Sequence, residues 1–208
     1  MHIEEYESIL KDARVSGSKI KIANRYPAHC KAAMKQLFQH ALENQRSCFG
    51  ENIEIRLFTL GLNDYFFDAD VQNQLRNFLT TREGKLKILL WREHSVEDGL
   101  AKVEFSPYES GTLGFLEEFT RQSQLEIRVR FGPEKTPQYC LVHNDAYRIA
   151  IPQDSDSYNQ EFRDDSPEVP ASICFSALEG VANLNVAFDT VFGGALPITE
   201  TLPVAMTS

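Results

Sequence analysis

The sequence is short of positive charge. Its 21 lysines and arginines stand against 30 aspartates and glutamates. The resulting net charge of −9 argues against a broad electrostatic footprint for nucleic acid, while leaving room for a local basic groove. No apolar stretch reaches the length of a membrane span, so no membrane contact is expected. The opening residues, MHIEEYESILKDAR, lack the basic-then-apolar order of a secretory signal. Cys30, Cys48, Cys140 and Cys174 are scattered, with no Cys-x-x-Cys or paired Cys/His spacing. That argues against a zinc site and for buried free thiols in a reduced, cytoplasmic setting, with no metal and no cofactor. Internal repeats and low-complexity segments are missing as well. At 208 residues the chain is read as a single domain over 1–208, long enough to bury a substantial core.

The strongest pattern lies between Asn52 and Trp91. Ile53, Ile55 and Leu57 alternate with Glu54 and Arg56, the period-2 signature of a strand with one buried face. Asp68 is placed to cap a helix whose stripe is Val71, Leu75, Phe78 and Leu79, with Gly84 as its stop. Leu86 and Ile88 to Leu90 then form an apolar run of strand length. A helix between two strands predicts a βαβ crossover and hence parallel strands.

Around this unit the remaining elements follow. A helical arm is expected within residues 1–18, over Ile3 to Asp12, with Tyr6, Ile9 and Leu10 on one side and Ser16-Gly17-Ser18 as its break. A short strand is expected over Lys19 to Ile22, with Ile20 and Ile22 on one face. A helix from Pro27 to about Arg46 carries the stripe Ala33, Leu37, Phe38, Ala41 and Leu42. Residues 92–99 read as a polar stretch. Leu113, Leu116 and Phe119 predict a second crossover helix, and Leu125, Ile127 and Val129 a further strand. Two strand-like runs flank Asn144-Asp145, which suits a two-residue hairpin turn. Residues 153–170 form an acidic loop. A last strand near Ser172 to Phe175 precedes a helix with the stripe Leu178, Val181, Leu184, Phe188 and Phe192, closed by Gly193-Gly194. A flexible tail is expected over 197–208. The fold class is α/β: a mixed, mostly parallel sheet flanked by helices.

This order resembles a single phospholipase-D-like domain. Leu37 to Leu90 carries the resemblance most closely, from the Ala41-Leu42 helix end, through Ile53-Glu54-Ile55 and Leu75 to Leu79, to Gly84-Lys85-Leu86-Lys87-Ile88-Leu89-Leu90. The resemblance implies a hairpin bearing His-x-Lys-x-x-x-x-Asp, in which His attacks phosphorus and Lys clamps a phosphate oxygen. It also implies a site completed by two domains or by a dimer. Counted back from Asp145, the His position holds Gln138 and the Lys position Cys140. Started instead from His143, the motif meets Asp145 and Ala150 where Lys and Asp belong. Neither register supplies both the nucleophile and the cation.

The residue-level candidates are therefore few. His143, Asp145 and Arg148 could form an acid–base pair with a phosphate clamp; the plainer reading is a packed histidine at a hairpin end. Asn63, Asp64, Glu93 and His94 fall at predicted C-terminal strand ends, where open parallel sheets hold ligands, and otherwise read as a solvated acidic rim. Asp154, Asp156, Asp164, Asp165 and Glu168 follow no calcium-loop spacing. The expectation is a catalytically degenerate domain acting as a binding, regulatory or accessory subunit through a homodimer or a protein partner. The alternatives are a phosphodiesterase or nuclease with its site displaced to His143, and a sensor of a nucleotide or sugar.

Overall fold

The fold is taken from a computed structural model that describes residues 2–24, 26–43, 53–62, 67–81, 84–92, 96–97, 100–101, 105–120, 124–132, 138–150 and 171–198. In chain order the elements are α1 (Ile3–Ser16), β1 (Ile22–Asn24), α2 (Pro27–Glu43), β2 (Glu54–Thr59), α3 (Ala69–Thr81), β3 (Lys85–Arg92), β4 (Val96–Glu97) and β5 (Leu100–Ala101). Then follow α4 (Pro107–Thr120), β6 (Leu125–Phe131), β7 (Gln138–Val142), β8 (Ala146–Ala150), β9 (Ala171–Cys174), α5 (Leu178–Gly193) and β10 (Leu196–Pro197).

The βαβ unit forms as its periodicity requires. Asp68 Oδ1 accepts the Val71 N–H at 2.9 Å, satisfying one of the first-turn donors of α3. Val71, Leu75, Phe78 and Leu79 are fully buried. The Gly84 N–H returns to the Phe78 carbonyl at 3.3 Å, and a Cβ at Gly84 would lie 2.3 Å from the Phe78 ring. At Gly84, beyond the end of the helix at Thr81, the backbone passes so close to the ring that only a hydrogen fits. β2 and β3 run parallel, pairing Glu54 with Lys85 through Thr59 with Leu90, and β3 runs parallel to β6.

The main sheet has eight strands in the order β1-β9-β8-β7-β2-β3-β6-β10. The mixed sheet with flanking helices is as expected, but its parallel share is smaller: every join outside β2-β3-β6 is antiparallel. β7 and β8 form a tight hairpin, and the other antiparallel joins bring together strands distant in the chain. Helices α1 to α4 cover one face with a core that includes Tyr6, Leu10, Leu37, Phe78 and Leu116. Helix α5 covers the other, where Val181, Phe188 and Phe192 pack on Phe58, Leu89 and Tyr139.

Several local expectations are corrected. Helix α1 runs to Ser16, and Gly17 closes it at φ 61°. Tyr6, Leu10 and Ala13 form its buried face, while Ile9 points outward. The first strand begins at Ile22, leaving Ile20 70 % exposed, because pairing with β9 fixes the register from Ile22 onward. Within residues 92–99, β4 opens a two-strand hairpin with β5. In the closing helix Leu178 is exposed and Asn185 is buried instead. Pro197, placed at the start of the tail, pairs with Arg128, and Leu196 before it with Val129, as a short edge strand. The acidic loop, Cys48 and residues 199–208 of the tail lie outside the described residues. Cys30, Cys140 and Cys174 are buried free thiols, as read from their spacing.

Candidate functional site

The hairpin that the resemblance makes decisive is β7–β8. Its ladder closes at Val142 and Ala146, so the turn holds three residues, His143, Asn144 and Asp145, where a two-residue turn was expected. His143 takes a left-handed φ of 49°. Such a backbone is costly for a residue with a Cβ and persists where neighbours hold it. Three elements do so here. The His143 N–H donates to the Glu54 carbonyl of β2 at 2.7 Å. Asn185 of α5 donates through Nδ2 to the His143 carbonyl at 2.9 Å and to Asn144 Oδ1 at 2.8 Å. The Ala177 N–H, at the N-cap of α5, donates to the Asp145 carbonyl at 2.8 Å. His40 of α2 places Nε2 at 3.2 Å from Asp145 Oδ2. The His40 ring is buried and tilts against Phe175, while Asp145 stays partly open to solvent.

The turn aspartate is thus present and held. The positions that would carry the chemistry are not equipped for it. Gln138 is half-buried, with its Oε1 at 3.4 Å from Thr59 Oγ1. Cys140 is fully buried, and burial pushes its thiol up to about 12, with the Arg148 charge only partly offsetting this. A neutral thiol neither clamps a phosphate oxygen nor attacks phosphorus at neutral pH.

Arg148 pairs with Cys140 across the hairpin. It is 3 % exposed, and its charge acts on Tyr6, Cys30 and Cys140 under α1 and α2. It therefore belongs to the interior of the helical face, whereas His143 stands half-buried at the turn. Asp145 is drawn to His40, a partner not singled out from the sequence. His40 and Asn185 share one signal: each is a polar residue on an otherwise apolar helical stripe. Their partners lie across the fold, 105 residues away for His40, and no spacing rule finds them.

Asn63, Asp64, Glu93 and His94 lie outside the described residues. At the opposite end of the sheet the rim is tied together by Arg92. Its Nη1 donates to the Leu60 carbonyl at 2.8 Å and its Nη2 to Glu109 Oε1 at 2.5 Å. Burial works to raise the Glu109 carboxyl, but hydrogen bonds from Arg92, the Ser106 N–H and the Leu62 N–H outweigh it and hold the group below its usual range. Among the described residues, no three His, Cys, Asp or Glu side chains gather closely enough to hold a metal ion.

No protein-family model matches the sequence, and no curated protein does. Solved structures do resemble the fold. One is TrmBL2, an archaeal chromatin protein whose structure shows a novel mode of DNA binding. It matches at TM-score 0.56 and 14 % identity, over 93 % of this chain and 60 % of that one. Another is phosphatidylserine synthase of Haemophilus influenzae Rd KW20, at TM-score 0.53 and 13 % identity, over 89 % of this chain and 42 % of that one. The chain spans less than two thirds of either protein. At such identities the likeness is one of fold, and it supports the phospholipase-D-like fold.

Proposed function

We propose that this chain is a phospholipase-D-like domain that does not hydrolyse phosphodiesters and serves as a binding or regulatory subunit, through a second copy of itself or a protein partner. The observation that carries this reading is the content of the hairpin. The turn aspartate is kept and engaged with His40, while Gln138 and a buried, neutral Cys140 occupy the nucleophile and cation positions. A scaffold role needs the turn, because the turn joins α2, β2 and α5; it does not need the reacting pair.

The test is hydrolysis of bis(p-nitrophenyl) phosphate and of DNA by the purified protein, alongside its mass in solution by light scattering. No turnover, with a dimer or a captured partner, is the expected result. Turnover that survives chelation but is lost in His143→Ala would overturn the reading and place a phosphodiesterase site at the turn. A monomer with neither turnover nor partner would favour a small-ligand sensor, tested by ligand-dependent shifts in melting temperature.

A further inference from the structure

Helix α1 is held on α2 by two kinds of contact. Tyr6, Leu10 and Ala13 bury an apolar face, and Arg14 bonds Gln36 Oε1 at 2.7 Å and pairs with Glu43. The centre of the contact holds an unusual group. The Tyr6 ring lies flat on the His29 ring, with centroids 3.9 Å apart and planes 8° from parallel. Tyr26 meets the same imidazole edge-on at 5.0 Å. His29 is 4 % exposed, and its Nδ1 has no hydrogen-bond partner. The titratable and charged groups around it are Tyr6 from α1, Tyr26 before α2, Cys30 beside it on α2, and the positive amino terminus. Arg148 from β8 acts on Tyr6 and Cys30.

We propose that His29 is a proton-sensitive latch for α1: the arm docks on the neutral imidazole and is loosened when the ring takes up a proton in mild acid. The docked state buries Nδ1 without an acceptor. A proton there would add a buried donor with no partner, together with a charge held largely out of water. Undocking returns Nδ1 to water. It also uncovers Tyr6, Cys30 and the side of the sheet that carries Arg148. The sign agrees with the surroundings: burial, and secondarily the positive amino terminus, lower the His29 pKa below its ordinary 6.5. A base with a depressed folded pKa adds nothing against the fold above its unfolded value and opposes it progressively below. The effect is bounded. At pH 5 the undocked population rises by at most about 30-fold over neutral pH, the full difference between the ordinary histidine value and the working pH. The arm is loosened, not expelled. His2 borders α1 and His40 lies on α2, so a variant at position 29 is what separates the His29 imidazole from theirs.

The experiment is amide hydrogen exchange of the full chain at pH 7 and pH 5, corrected for the intrinsic pH dependence of exchange. In the wild type, α1 amides lose protection several-fold at pH 5. In His29→Phe, which keeps a flat ring for Tyr6 and cannot be protonated, they do not. Unchanged protection in the wild type, or the same loss in both proteins, overturns the latch. Should His29→Phe not fold, the titration of the wild-type His29 ring by NMR decides. A midpoint below the ordinary value, moving in step with loss of α1 protection, supports the proposal. An ordinary midpoint with α1 still docked overturns it.

Discussion

Asp145 and His143 sit two residues apart in the same turn and answer differently to substitution. Asp145 accepts from a buried histidine, so Asp145→Ala leaves His40 Nε2 without this acceptor in the interior. Removing one partner of such a bond costs about 1–3 kcal/mol. His143 contributes mainly its backbone, which is held at a φ that a side chain opposes. His143→Gly releases that opposition and adds flexibility to the unfolded chain, effects of about 1 kcal/mol each and of opposite sign. Urea denaturation is therefore expected to show a clear loss for Asp145→Ala and a change near zero, or a slight gain, for His143→Gly. A large loss in His143→Gly would mean that the imidazole itself packs or bonds in the folded state.

Among the elements, α3 tests whether local rules act as separable terms. Asp68→Ala removes the cap to Val71 and should cost about 1 kcal/mol. Gly84→Ala drives a methyl into the Phe78 ring, whose atoms lie 2.3 Å from the new Cβ, and should cost about 1–3 kcal/mol through overpacking. The cap and the ring sit at opposite ends of the helix, so the double variant should lose close to the sum, measured by urea midpoints at constant m-value. Helix α3 is also where the sequence is most legible. Stripe, cap and stop are local signals, and all act within a few residues. Helix α4 has an equally local device: Ser106 and Glu109 form a capping box around Pro107, with the Ser106 N–H donating to Glu109 Oε2 at 3.0 Å. By contrast, β1 starts at Ile22 and β10 exists at all because of β9 and β6, partners far along the chain. The same holds for the turn. Asn144-Asp145 is visible as a turn signal, but the third turn residue is set by Glu54 and Asn185. The place of the missing chemistry could be counted in the sequence; the buried, cross-paired position of Arg148 could not.

For the molecule as a whole, the buried weak acids set a limit on alkaline stability. Cys140 is pushed up to about 12 by burial, and Tyr139 to about 12 by burial and by the charge of Asp189. Burial also raises Cys30 and Tyr6. Each of these groups keeps its proton in the folded protein beyond the pH at which the unfolded chain releases it. For Cys140 that release begins at the ordinary thiol value of 9.0. Its contribution to stability is therefore fully present below that value and is lost as pH rises toward the folded one. Each such group removes about 1.4 kcal/mol for every pH unit past its ordinary value. The net charge of −9 works in the same direction, since every further ionisation adds to an already negative molecule. Urea denaturation at pH 8, 9 and 10 should show the wild type losing stability with each step above 9. Cys140→Ala starts lower at pH 8, because a small cavity replaces the sulfur, but should fall more gently, by about 1.4 kcal/mol less at pH 10. Parallel decline in the two proteins would mean that the Cys140 thiol ionises freely in the folded state. A thiolate available at that position would in turn reopen the hairpin as a site of nucleophilic chemistry.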